Sequence, residues 1–203
     1  MLKYLYSKEV FREIPEEITL GISISGCKIH CPECHSKELW EDEGTILDLQ
    51  QIEVLLQQHK GITCICLFGG EHDIDSLIEI FMYLHKKIKT AWYCGLDNIP
   101  KDKMGITQYL DYLKLGHYDH KLGGLDSPTT NQRLYKLKHL GNGTYWETNI
   151  TDCYDSGSSV STNKSSVVGY LQKRDGAYES VITNYYSTNG YSLNCAAYEI
   201  KSG

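Results

Sequence analysis

A chain of 203 residues is long enough to bury a core of its own without disulfide staples. Its content of 41% hydrophobic and 23% charged residues excludes wholesale disorder. A net charge of −6 excludes a generally basic surface for nucleic acid, and no apolar run approaches the ~20 residues of a membrane span.

The opening segment MLKYLYSKEVFREIPEE mixes charged and apolar residues and lacks the unbroken apolar core of a secretory signal. The expected location is therefore the cytoplasm, where the eight cysteines stay reduced and serve metals or redox chemistry. Ile18–Ser25 alternates apolar and small polar residues, as a strand does. A cysteine-rich loop follows, from Gly26 to about Trp40. Thr45 is placed to cap a helix over Ile46–His59, with Leu49, Ile52, Leu55 and Leu56 on one stripe and Gly61 as its stop. Ile62–Phe68 is an almost continuous apolar run, the pattern of a parallel strand buried on both faces. After Gly69-Gly70-Glu71 comes an amphipathic helix over Asp75–Lys87, with Leu77, Ile78, Phe81 and Leu84 inward. Lys89–Cys94 reads as a third strand, Lys103–Tyr109 as a short helix and Tyr112–Leu115 as a fourth strand.

This alternation predicts an α/β fold, a parallel sheet or an incomplete (β/α) barrel. Ligands in such folds sit at the carboxyl ends of the strands. The cysteine loop and the Gly69-Gly70-Glu71 turn both follow strands, so both are expected on one rim. Composition shifts after about Gly143: residues 144–203 hold ten of the sixteen serines and eight of the sixteen tyrosines. The expected division is a core over 1–143 and a Ser/Tyr-rich appendage over 144–203, either a small β-hairpin unit or disordered. Within it Asp155–Ser166 reads as a linker, and Asn189-Gly190 as the turn of a hairpin between Tyr178–Tyr186 and Tyr191–Ile200.

Cys27, Cys31 and Cys34 stand at Cys-x3-Cys-x2-Cys, three thiolates on a loop already turned by Gly26 and Pro32. Thiolates select zinc or iron–sulfur over oxygen-loving cations. A structural zinc site would take His30 or His35 as its fourth ligand. Cys31-Pro32-Glu33-Cys34-His35 also matches covalent haem attachment, which requires export. The third reading is a four-iron cluster with three protein ligands and one iron open to a small molecule. Cys64 and Cys66 read as core packing, Cys94 as a rim residue, and Cys153 and Cys195 as inert. His117, His120, Lys121 and Arg133 read as solvated loop residues.

The cysteine spacing and the later Gly-Gly-Glu turn resemble the radical S-adenosylmethionine enzymes. Phe11–Leu20, Ser25-Gly26-Cys27, Cys31–His35, Trp92-Tyr93, Asp111–Gly116 and Gly123–Tyr135 narrow this to the family of activating proteins for anaerobic ribonucleoside-triphosphate reductases. The resemblance runs from about residue 10 to about residue 140. It implies that Cys27, Cys31 and Cys34 ligate a [4Fe-4S] cluster. It further implies S-adenosyl-L-methionine against Glu33, Cys34, His35, Gly69, Gly70 and Glu71, with no catalytic residue beyond the cluster and this cofactor. The implied partners are the glycyl-radical reductase, or another glycyl-radical enzyme, and a reduced flavodoxin-like electron donor, with neither nucleic acid nor membrane. His72 departs from the family, which usually has proline there, and residues 144–203 have no counterpart in it.

Overall fold

The computed structural model describes residues 1–140 and 143–147. The linker and hairpin expected over 155–200, Cys153 and Cys195 lie outside the described residues. The fold divides after Leu134: Met1–Leu134 is one compact unit, and a second begins at Tyr135. Of the second, the description covers an antiparallel pair, with Lys136 opposite Glu147 and His139 opposite Thr144.

The first unit is built on β1 (Lys3–Val10), β2 (Thr19–Ile24), β3 (Thr45–Ile46), β4 (Cys64–Phe68), β5 (Lys89–Tyr93) and β6 (Tyr112–Leu115), in the order β3-β1-β2-β4-β5-β6. β2, β4, β5 and β6 run parallel, with Leu20 opposite Ile65, Cys66 opposite Ala91 and Trp92 opposite Leu113. β1 and β3 are antiparallel additions at one side, so the sheet is mixed where an all-parallel sheet was expected. It is not closed into a barrel.

The apolar runs form strands because both faces of the sheet are covered. β2 is buried along its whole length, and β4 is buried from Cys64 to Leu67. On one face Cys64, Cys66, Ala91 and Tyr112 pack against Ile14 from the β1–β2 connection, joined by Phe68, Tyr93 and Leu134. The Cys64 and Cys66 thiols are fully buried, as read from the sequence, and burial pushes the Cys64 thiol up to about 12. The helices α1 (Leu49–Gln58) and α2 (Ile74–Leu84) touch each other, and α2 packs on β5.

Thr45 does not cap a helix. It lies in β3 opposite Tyr4, and Asp48 is the cap, its carboxylate accepting from Gln51 N–H at 2.8 Å. Asp73 caps α2 in the same way, accepting from Ser76 N–H at 3.1 Å. α1 buries Ile52 and Leu55 with Leu49 and Leu56 at its margin, and α2 buries Ile80 rather than Ile78. The Lys101–Tyr109 segment is a 3-10 helix. Among the described residues no helix is long and apolar enough to cross a membrane.

The amino ends of the parallel strands are held by one polar cluster. The nearly buried Glu17 carboxylate accepts from Lys89 Nζ and from Tyr112 Oη, the latter at 3.1 Å. Burial alone would raise the Glu17 carboxyl, but hydrogen bonds from Lys89, Thr63 and Tyr112 and the Lys89 charge hold it below its ordinary value. The unfolded chain therefore binds that proton more tightly than the folded one. The stability from this cluster is fully present above the ordinary carboxylate range and is lost as pH falls through the lower folded-state value. Glu17→Gln is expected to flatten the acid limb of a stability–pH curve measured by urea denaturation; an unchanged slope would assign that limb to other carboxylates.

Candidate metal centre and ligand rim

Because β2, β4, β5 and β6 are parallel, their carboxyl ends share one edge of the sheet. Four turns leave from it: the cysteine loop after Gly26, Gly69-Gly70-Glu71, Cys94–Asp97, and Gly116-His117. The convergence expected for the first two is therefore present, and two more turns join them.

The cysteine loop is anchored through its backbone. Gly26 N–H donates to Glu41 O and Cys27 N–H to Leu39 O, both at 2.9 Å, and Ser25 Oγ donates to Glu43 O. Gly26 has φ of +76°, and the His72 ring lies 3.3 Å from where a Cβ there would sit. His30 and Glu33 also take positive φ, +49° and +55°, so the loop folds back on itself twice within a few residues. Cys27, Cys31 and Cys34 are free thiols, each half-buried. The backbone N–H groups of Ile29 and His30 lie on the side of the Cys27 thiol that favours its thiolate, and the Cys34 sulfur accepts from Ser36 N–H at 3.4 Å. Burial raises the Cys27 thiol, and the two N–H donors work against that.

Among the described residues no three Cys, His, Asp or Glu side chains are drawn together tightly enough for a single metal ion. The two histidines that a zinc site would recruit are engaged elsewhere. His30 stacks on Trp40 with ring centroids 4.4 Å apart, and His35 Nε2 lies 2.9 Å from Tyr118 Oη. Three half-exposed thiols on one loop are a soft, all-sulfur donor set suited to an iron–sulfur centre, and hydrogen bonds to sulfur such as that from Ser36 are among the features that set such a centre's potential.

The Gly69-Gly70-Glu71 turn is held from beneath. Both glycines have positive φ, +92° and +91°, which a side chain would strain. Gly69 N–H donates to Tyr93 O at 2.9 Å, and its carbonyl accepts Trp92 Nε1–H at 2.8 Å. A carbonyl oxygen has two lone pairs, so Gly69 keeps one acceptor site while its donor is used. The Gly70 carbonyl accepts from Asp73 N–H at 3.0 Å and likewise retains a lone pair. The Glu71 carboxylate accepts from Gly95 N–H at 2.5 Å, tying the β4 turn to the β5 turn. Glu33 and His35 are exposed on the cysteine loop, whereas Gly70 is buried.

The other two turns hold residues that sequence reasoning did not assign to a site. Cys94 N–H donates to Lys114 O, and Gly116 N–H to Leu96 O, each at 2.8 Å. Burial pushes the Cys94 thiol well up, so it is an inert neighbour rather than a thiolate. Lys114, buried on β6, donates from Nζ to Gly116 O at 2.6 Å and to Cys94 O at 3.4 Å. His117 Nδ1 lies 2.8 Å from Asp97 Oδ1, and Asn131 Nδ2 donates to His117 O at 2.9 Å. The Gly123–Arg133 segment is thereby attached to the rim. The alternation of Tyr112, Leu113, Lys114 and Leu115 placed a lysine on an otherwise apolar strand, which was the available signal for Lys114.

Residues 18–133, more than half of the chain, match the family model described as a 4Fe-4S single cluster domain. None of the curated proteins and none of the solved structures matches the chain. The matched span begins just before β2 and ends at the first residue of β7 (Arg133–Leu140), so it contains the cysteine loop and all four rim turns.

Proposed function

The chain belongs to the 4Fe-4S single cluster domain family, an iron–sulfur family, and from that premise we propose that it is a radical S-adenosylmethionine enzyme that activates an anaerobic ribonucleoside-triphosphate reductase. The observation behind the proposal is the shared rim: a three-thiol loop after one parallel strand and a doubly left-handed glycine turn after the next.

Cys27, Cys31 and Cys34 would hold the [4Fe-4S] cluster, three ligands leaving one iron open. When bound, the cluster would supply one electron for reductive cleavage of the S-adenosylmethionine sulfonium, chemistry that would let a hydrogen atom be taken from a glycine of the reductase. The remaining work is positioning and exclusion of water by this chain's own residues. The free lone pairs of the Gly69 and Gly70 carbonyls suit the ammonium end of an amino acid. Glu71 fixes that turn against Gly95, and the exposed Glu33 and His35 flank Cys34. The electron comes from a reduced flavodoxin-like donor.

The test is anaerobic reconstitution followed by low-temperature electron paramagnetic resonance of the reduced protein. A four-iron signal that changes shape on adding S-adenosylmethionine is the expected result. Stoichiometric zinc with no cluster would overturn the proposal and make the loop a structural zinc site; a cluster indifferent to S-adenosylmethionine would leave an iron–sulfur protein without radical chemistry.

A further inference from the structure

Lys114 has 8% of its surface exposed, and desolvating an ammonium is costly unless something answers its charge. Its two hydrogen-bond acceptors, Gly116 O and Cys94 O, are neutral carbonyls. They align the ammonium without cancelling it. Burial lowers the Lys114 ammonium from its ordinary value, and the charges of Cys94, Glu71, Cys31 and Asp97 act against that. Asp97 is exposed and shared with His117, Glu71 is bound to Gly95 N–H, and the Cys94 thiol is held neutral by burial. Cys31 is left as a member of the metal-binding loop.

That loop rests on the turn that Lys114 supports. Ile29, between Cys27 and Cys31, places its Cδ1 only 2.4 Å from where a Cβ on Gly95 would sit, so glycine is what lets the loop come down onto Cys94-Gly95. The ammonium hydrogen-bonds the carbonyl one residue earlier in the same turn. The buried ammonium thus holds the turn on which the loop bearing Cys27, Cys31 and Cys34 rests.

We propose that Lys114 is the counter-charge of the cysteine loop, and that its ammonium raises the reduction potential of the cluster held by Cys27, Cys31 and Cys34. The inference rests on the iron–sulfur reading of the loop. A cluster on three thiolates is already anionic, and reduction adds another negative charge beside the Glu71 carboxylate. Net charge and burial are among the principal determinants of the potential of such centres. In a site of low effective dielectric, a fixed cation acts more strongly than it would in water. Lys114 therefore favours the reduced state, so that more of the cluster holds an electron at a given potential while each electron is passed on with less driving force.

The test compares the reconstituted full chain with Lys114→Met, Lys114→Gln and Lys114→Arg in a redox titration followed by electron paramagnetic resonance, without S-adenosylmethionine. Methionine keeps the stem and removes the charge; glutamine also keeps a donor for Gly116 O and serves where the methionine variant fails to load iron. Both neutral variants should show a reduced-to-oxidised ratio about tenfold lower at a fixed potential, a midpoint about 59 mV more negative for a one-electron couple. Arginine should restore most of it. Unmoved midpoints in the loaded neutral variants would overturn the inference and leave Lys114 a structural strut. An equal fall in the arginine variant would overturn it too, by showing that packing and not charge is responsible. Failure of the unsubstituted chain to take up iron would overturn the iron–sulfur reading itself, and the inference with it.

Discussion

Cys31→Ala is expected to abolish iron–sulfur assembly and reductive cleavage of S-adenosylmethionine while leaving the fold intact. Cys31 is half-buried on a loop outside the sheet, and the loop's own turn is made by the backbone, with Cys34 N–H donating to Cys31 O at 3.1 Å. Alanine keeps that bond. The change in stability of the iron-free protein should stay within about 0.5 kcal/mol, as for substitutions away from a packed core. Loss of one of three ligands, by contrast, leaves a cluster with two open irons and no reason to stay bound. Iron content, 5′-deoxyadenosine formation and thermal unfolding are the three readouts. Cys64→Ala is the matching control: its thiol is fully buried under the sheet, so that variant should lose stability and keep its iron. Full cleavage activity in Cys31→Ala would remove the loop from the chemistry.

Trp92→Ala is expected to lower stability by about 3–5 kcal/mol, the range for deleting a large buried aromatic side chain. Trp92 is the largest fully buried side chain among the described residues and sits in the middle of the parallel sheet on β5. Against a total stability of about 5–15 kcal/mol for a domain, that loss is between about a fifth and the whole of it. Trp92→Phe separates packing from position. It refills most of the volume but leaves the Gly69 carbonyl without the indole N–H that approaches it at 2.8 Å. Its cost should be about 1–3 kcal/mol, the penalty of an acceptor left unpaired. Its larger effect should be on binding, because the Gly69-Gly70 turn then loses the bond that orients its carbonyl. Chemical denaturation measures the first effect and S-adenosylmethionine affinity of the reconstituted protein the second. If Trp92→Phe matched the unsubstituted chain in affinity, the Gly69 carbonyl would not be a ligand contact.

The parallel strands were legible because burial on both faces leaves a run that no amphipathic element shows. Cys64–Phe68 and Tyr112–Leu115 appear where their apolar character put them. β1 was not legible. Lys3–Val10 carries Lys, Tyr, Ser and Glu along a strand that is buried at only one of eight positions, Tyr4, so its pattern is that of a polar segment. Once β1 exists, it offers Lys3 and Tyr4 as partners to Ile46 and Thr45, which converts a plausible helix cap into a strand residue. Thr45 and Asp48 are both good caps by residue type, and only the neighbouring strand decides between them.

The chemistry of the rim divides along the same line. The amino-acid sequence by itself determined which thiols share a loop, which glycines follow a strand, and that both lie at carboxyl ends, because spacing and strand polarity are properties of the chain. It did not determine that Glu71 is bound to Gly95, that His35 meets Tyr118 eighty-three residues away, or that Lys114 sits buried with its ammonium on the Cys94 and Gly116 carbonyls. Each of those depends on which strands become neighbours in the sheet. Pairing β4 with β5 and β5 with β6 sets residues far apart in sequence at hydrogen-bonding distance, and burial then gives a charge such as that of Lys114 a strength that it lacks in water.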